Sequence, residues 1–228
     1  LSATRQRFLE HLAGLPTDVN VANGFFSGDA FVHPEFGLRL EFPAGWQQRN
    51  TPSSAIAAAP DGAAALILSL AAEGDDPLAG ARQMQKEVGN GLVAQTERLT
   101  IGSLPAAHTA FRARGERGDL GLDVTWIAYG GRVFQIAGVT AAQNFPSFQK
   151  PFTTTRDSFR VLTPAERDAV RENRLKLVEP RAGESADALL ARTGSAWKAA
   201  MLAVANDLAE GAPLPAETLK VAVPEKYE

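Results

Sequence analysis

Three histidines, His11, His33 and His108, are the side chains in this sequence best suited to proton transfer or metal binding. No HExxH occurs and no two histidines stand four residues apart, so the helical zinc geometry is absent. His33-Pro34-Glu35 offers two potential ligands, but Pro34 fixes the backbone between them, and a structural turn is the simpler reading. His108 alternates in phase with Arg112 and Arg114, which predicts a solvated imidazole. A serine triad with His108 and Asp123 can be drawn, yet Ser69 and Ser103 both lack the flanking glycines of a GxSxG elbow.

Gly89-Asn90-Gly91-Leu92-Val93-Ala94 spells the dinucleotide fingerprint GxGxxA. It follows a predicted helix and precedes a predicted strand, the reverse of what a phosphate-binding loop requires. Asp75-Asp76 sits at a predicted helix start, where capping accounts for the paired carboxylates. Trp126 and Trp197 fall on periodic apolar faces and read as core. Trp46, beside a turn, is the aromatic placed for contact with a ligand or partner. No catalytic constellation emerges, and neither catalytic nor metal-binding residues are assigned to this chain.

The whole chain narrows the choices further. It has 228 residues, 45% hydrophobic and 21% charged, which are globular proportions. Residues 1–30 hold 2 basic and 3 acidic side chains, 31–173 hold 14 and 15, and 174–228 hold 7 and 8. Each part is near one net negative charge, so none offers the basic face that nucleic acid requires. The absence of cysteine removes disulfides, thiolate zinc sites and cysteine nucleophiles. No apolar run approaches the roughly 20 residues of a membrane span; the longest, Ala63 to Ala72, has the length of a buried strand. The chain begins at Leu1 with no visible signal peptide, which favours a native start lying upstream.

The elements that must position these residues follow from periodicity. Phe8, Leu12 and Leu15 predict a leading helix over 5–15, stopped by Gly14 and Pro16, with an Asn- and Gly-rich loop beyond. From Phe31 the period becomes two: Leu38, Leu40 and Phe42 share a strand face, Pro43-Ala44-Gly45 turns the chain, and strands follow over 54–59 and around 66–70. Residues 77–88 read as a helix with Leu78, Ala81, Met84 and Val88 on one face. Four strands follow, near 93–101, 106–114, 119–129 and 132–140. Gly130-Gly131 forms a tight hairpin between the last two. Phe145, Phe148, Phe152 and Phe159 predict a helix over 144–159, kinked or restarted at Pro151. Thr163-Pro164-Ala165-Glu166 is a capping box opening a short polar helix to about Glu172. The remainder reads as a strand (175–178), a helix (185–192), a second helix with Trp197, Met201, Val204 and Leu208 on one face, and a closing strand (218–223).

Two resemblances stand on particular residues. Phe31 to Leu40, Pro43-Ala44-Gly45-Trp46, Asn50 and Pro60-Asp61-Gly62, preceded by a linker at Gly24 to Gly28, resemble the segment after the protease domain in bacterial HtpX/BepA-type zinc metallopeptidases. The match is specific over 24–62, and the order of elements to 162 is similar to the PsbP/Mog1-like sandwich. The HExxH helix of that family is missing here, so the resemblance implies a noncatalytic accessory region. Zinc, the only cofactor implied, would then belong to an upstream protease domain in the same polypeptide. Leu175 to Val223 resembles a degenerate LysM module through Gly183-Glu184-Ser185, Leu189, Asn206-Asp207-Leu208 and Leu219-Lys220-Val221. Such modules bind N-acetylglucosamine-containing glycans, which makes Gly183, Glu184, Ser185 and Asn206 candidate contacts. It also makes peptidoglycan or envelope proteins the implied partners, in the periplasm or cell envelope.

The resulting expectation is an α+β protein. A helical lead-in and linker occupies 1–30, and an antiparallel sheet with helices packed on it occupies 31–162. A connecting helix spans 163–173, and a small βααβ domain spans 174–228. The alternative is an independent PsbP-like binding or assembly module unrelated to proteolysis.

Overall fold

The computed structural model describes residues 9, 11–17, 21–88, 95–116 and 118–227. The GxGxxA run at 89–94 lies outside the described residues, as do 5–8 and 10 of the expected leading helix. The protein is α+β, and it divides into two compact units. One comprises residues 22–163; in the other, the chain before residue 22 joins 164–228.

The 22–163 unit is built on a seven-stranded antiparallel sheet. Its strands are β4 (Gln47–Asn50), β5 (Ser54–Ala58), β6 (Ala64–Glu73), β7 (Glu97–Ile101), β8 (Leu104–Gly115), β9 (Gly118–Tyr129) and β10 (Arg132–Ala141), in the order β4-β5-β6-β10-β9-β8-β7. A four-stranded sheet of β1 (Phe25–Ser27), β2 (Ala30–His33), β3 (Leu38–Glu41) and β11 (Arg160–Val161) accompanies it. The hairpin expected at Gly130-Gly131 is present. Tyr129 pairs with Arg132, and both glycines have positive φ, +60° and +72°.

Each face of the large sheet buries a different cluster, as strand alternation dictates. Helix α1 (Leu78–Val88) covers Val124, Trp126, Val133 and Ala137. Helix α2 (Phe145–Asp157) contributes Phe152 to the other face, with Leu66, Leu68, Ile127, Phe134 and Ile136, and with Phe31, Leu38 and Leu40 of the small sheet. Glycines permit both close approaches. A Cβ at Gly80 would run into the Trp126 indole, and one at Gly138 would lie 2.5 Å from Phe152 Cγ. Trp126 is fully buried and donates its indole N–H to Gln135 Oε1 at 2.8 Å, so its one polar atom is satisfied. Helix α2 runs through Pro151 as one element rather than restarting there; Phe148 and Phe152 pack against the core on either side of the proline.

The second unit pairs β12 (Arg171–Val178) with β13 (Leu219–Lys226), antiparallel, with α4 (Ala186–Thr193) and α5 (Ala199–Ala205) between them, a βααβ order. Helix α3 (Pro164–Ala169) precedes β12 and is shorter than expected. Val170 and Glu172 are buried, and the chain is already extended by Arg171. Backbone hydrogen bonds tie the lead-in to this unit. Gly14 N–H donates to Leu175 O at 2.8 Å, Leu175 N–H to Leu15 O at 2.9 Å, and Thr17 N–H to Asn173 O at 2.9 Å. Pro16 bridges to Arg174, so this segment adds to the open edge of β12.

The face expected for the second helix is also corrected. Trp197 precedes α5, whose inward residues are Leu202 and Ala203; Met201 and Val204 are 51% and 74% exposed. Seven residues make only two turns, and the Asn206 bonds to β13 fix which side faces in.

Candidate functional site

In the tail unit, two loops that stand apart in the sequence line one groove of about 510 Å³. One wall is Gly183-Glu184-Ser185 with the start of α4; the other runs from Leu208 through Gly211 to Leu214. Glycine, alanine and serine make up most of the groove's lining.

The wall made by Gly183 to Ser185 and α4 is fixed by identifiable interactions. Gly183 has φ +71°, the conformation its turn requires. Ser185 is the N-cap of α4, its Oγ accepting from Ala188 N–H at 3.2 Å. Glu184 accepts from Arg192 Nε (2.7 Å), from Arg192 Nη2 (2.9 Å) and from Arg181 N–H (2.9 Å). These bonds, the Arg192 pair foremost, hold its carboxyl down at about 2. Helix α4 ends at Gly194 in the left-handed conformation, φ +64°.

Of the four candidate contacts in this unit, Gly183, Glu184 and Ser185 line the groove. Asn206 does not. It is buried, its Nδ2 donates to Leu202 O and Lys220 O, and its Oδ1 accepts from Lys220 N–H at 2.7 Å. Its amide clamps α5 to β13 and only borders a neighbouring pocket with Asp207 and Leu208. Trp46, in the other unit, packs edge-on against Phe148 of α2 at 6.1 Å and is partly buried there.

The histidine readings resolve differently. His33 does form a turn: its Nδ1 accepts from Phe36 N–H at 3.3 Å and its ring stacks on Phe36 at 4.0 Å. Burial lowers its pKa to about 4, against the opposing pull of Glu35. His108 is not simply solvated, because its Nε2 lies 3.1 Å from Oδ1 of the buried Asp123. Their Cα positions are offset by two along β9, since His108 pairs with Thr125 while Ala110 pairs with Asp123, and this diagonal is visible only once the register is known. Neither residue lines the groove or the cavity below. Asp76 behaves as a cap, its Oδ1 accepting from Leu78 N–H at 3.2 Å, and Arg82 and Arg98 hold its carboxyl below the usual range. Among the described residues, no group of three or more acidic or histidine side chains converges to hold a metal ion. No described helix is long and apolar enough to cross a membrane.

A second cavity, about 320 Å³, lies within the 22–163 unit. Its walls come from the His33–Phe36 turn, the Thr51–Ser54 turn, β6 and Phe134. Sequence reading singled out His33 but not this enclosure, which depends on pairing between distant strands.

No family model matches the sequence, and no curated protein does. Solved structures that resemble the fold include a protein from Bacteroides thetaiotaomicron VPI-5482 at 15% identity and TM-score 0.46, covering 78% of this chain. The chain spans 62% of the length of that protein. CyanoP, the cyanobacterial PsbP of Synechocystis sp. PCC 6803, resembles it at 12% identity and TM-score 0.46, over 65% of this chain and 98% of its own. LpqN of Mycobacterium tuberculosis, described as involved in cell envelope biogenesis, does so at 12% identity and TM-score 0.42, over 72% of this chain and 98% of its own. Similarity at this level carries no functional argument.

Proposed function

We propose that this chain is a noncatalytic binding module of the cell envelope whose tail unit holds an N-acetylglucosamine-containing glycan, peptidoglycan in the first instance. The observation that carries this reading is the shared groove: Gly183-Glu184-Ser185 and the 208–214 loop, apart in the sequence, both line one space of about 510 Å³. Small residues at Gly183, Ala186, Ala209, Gly211 and Ala212 keep the groove walls low and leave room between them for acetamido groups. The ionised Glu184 is already committed to Arg192 and Arg181, so it shapes the wall rather than acting as an acid.

The finer reading is an accessory region of an HtpX/BepA-type zinc metallopeptidase, positioning substrate, partner or peptidoglycan beside an upstream protease domain. It is supported by the 24–62 resemblance. An independent binding or assembly module unrelated to proteolysis is the second reading, favoured by the 320 Å³ cavity in the 22–163 unit.

Co-sedimentation with purified sacculi tests the glycan reading. The intact chain is expected to pellet, and Ala212→Trp, at an exposed position in the groove wall, is expected to leave most of the protein in the supernatant. An intact chain that stays in the supernatant would sink the proposal.

A further inference from the structure

The recess of about 320 Å³ in the 22–163 unit has a floor and a mouth of different character. Phe31, Leu38, Leu68 and Phe134 belong to the floor, each 4% exposed or less. Phe36 is half-buried and Leu70 is 47% exposed, so these two offer a guest its contact surface. Leu70 follows Leu66 and Leu68 on the inward face of β6, where alternation calls for burial. Pairing with β5 begins at Ser54 opposite Ser69, one residue short of Leu70, and the leucine stays exposed. An exposed leucine on the wall of an apolar recess is the surface that a guest would cover.

Both turns in the walls are pinned. Phe36 N–H donates to His33 Nδ1 at 3.3 Å, and the two rings stack at 4.0 Å. Thr51 Oγ1 donates to Ser54 O at 3.0 Å and accepts from Ser54 N–H at 3.0 Å. Asn50 Nδ2 donates to Gly24 O at 2.7 Å and to Asn23 O at 3.3 Å, while its Oδ1 is buried without a donor. Asn50 thus holds the wall, and its oxygen is out of a guest's reach. Walls fixed in this way lose little freedom when a guest enters.

The lining also sets the charge and size of that guest. No Asp, Glu, Lys or Arg lines the recess. His33 is its one titratable side chain; Nδ1 accepts a hydrogen bond, as a neutral ring does, and burial lowers the pKa to about 4. A charged guest would give up hydration with no counter-charge in the walls. Arg132, whose guanidinium carbon lies 5.0 Å from the Phe36 ring centroid, stands outside the lining residues. An apolar cavity of about 150 Å³ holds one benzene, so this recess has room for one substituted ring.

We propose that this recess is a binding site for one small, uncharged, apolar molecule of about a single ring's size, seated against Phe36 and Leu70 over the apolar floor. The site is independent of the glycan groove and belongs to a different unit of the chain.

Three probes of one shape and different charge test this: 4-methylbenzyl alcohol, 4-methylbenzoate and 4-methylbenzylammonium. Each is titrated at neutral pH into the intact wild-type chain and followed by ligand-observed NMR. The alcohol is expected to bind saturably, with contacts to protons of Phe36 and Leu70. Each ion is expected to bind about tenfold more weakly. Leu70→Glu, at an exposed position, should remove binding of the alcohol, and Leu70→Met should keep it. An absence of saturable alcohol binding, or contacts away from Phe36 and Leu70, would overturn the proposal. So would an ion that binds as tightly as the alcohol; a preference for the benzoate would show that Arg132 recruits an acid instead. Undiminished alcohol binding by Leu70→Glu would overturn it as well. Because the comparison of probes uses the wild type, a poorly folded variant does not weaken it.

Discussion

The two units of this chain solve the same problem with different materials. In the 22–163 unit each face of one long sheet buries an apolar cluster, and aromatic rings fill spaces that glycines leave open: Trp126 over Gly80, Phe152 over Gly138. In the tail unit the fully buried apolar cluster is small, made of Leu189, Leu190, Leu202, Leu219 and Val221. Its short elements are tied at their ends by polar clamps, Asn206 between α5 and β13 and Glu184 with Arg192 across α4. A small two-stranded unit buries too little surface to rely on packing alone, so directional bonds set its shape. Each unit carries a recess of its own: one of about 320 Å³ walled by phenylalanines and leucines in the large unit, and one of about 510 Å³ lined mostly by small residues in the tail.

That contrast can be broken by substitution. Gly80→Ala should destabilise the 22–163 unit by about 3 kcal/mol, because overpacking a rigid indole leaves no room to relax. Denaturant unfolding followed by Trp126 fluorescence would show it, with tail-unit NMR signals unchanged at low denaturant. A loss under about 0.5 kcal/mol would mean that the glycine contact is not what sets α1. Asn206→Ala should cost the tail unit about 2 kcal/mol by removing bonds to Lys220 N–H and O and leaving them unpaired. Amide exchange at Lys220 would rise while amides of β9 stay protected. Gln135→Ala, which orphans the Trp126 indole N–H, should cost about 1 kcal/mol and confine its effect to the large unit.

The smallest effects are expected in acid, where both groups concerned are partly exposed and screened. His33 has its pKa lowered from 6.5 to about 4, so the unfolded chain takes up a proton first as pH falls. The large unit therefore loses stability between about pH 6.5 and 4, and His33→Gln should flatten that limb. Glu184 is lowered from 4.5 to about 2, so its contribution is intact above pH 4.5 and is lost between 4.5 and 2. Arg192→Leu should remove that second limb from the tail unit. Residue-resolved NMR across pH 7 to 2 separates the two windows, and a single shared transition would refute the division.

Much of the fold was legible because local chemistry and burial agree. Alternation marks β9 and β10, paired glycines mark the hairpin between them, and Ser185 marks the start of α4. What could not be read depends on non-local pairing. The lead-in adds to the edge of β12 through backbone bonds that carry no side-chain signature. Met201 and Val204 lie at the spacing of an inward face, yet the Asn206 clamp turns them outward. Trp46 was legible as an aromatic beside a turn, but not as a partner of Phe148, about a hundred residues away in sequence. The groove was half legible. Gly183, Glu184 and Ser185 could be named from sequence, while the facing 208–214 wall and the role of Arg192 required the helices to be placed. Asn50 gave no signal beyond its resemblance to a family asparagine, since an unpaired acceptor is defined by where its two carbonyl partners lie.

The central claim, that the tail groove holds an N-acetylglucosamine polymer, is tested most directly by titrating the ¹⁵N-labelled intact chain with an N-acetylglucosamine tetramer. Saturable shifts confined to the amides of Gly183 to Ala188 and of Leu208 to Leu214 are predicted, and Ala209→Trp should abolish them. Spectra unchanged at millimolar glycan, or shifts clustered in the 22–163 unit instead, would contradict it.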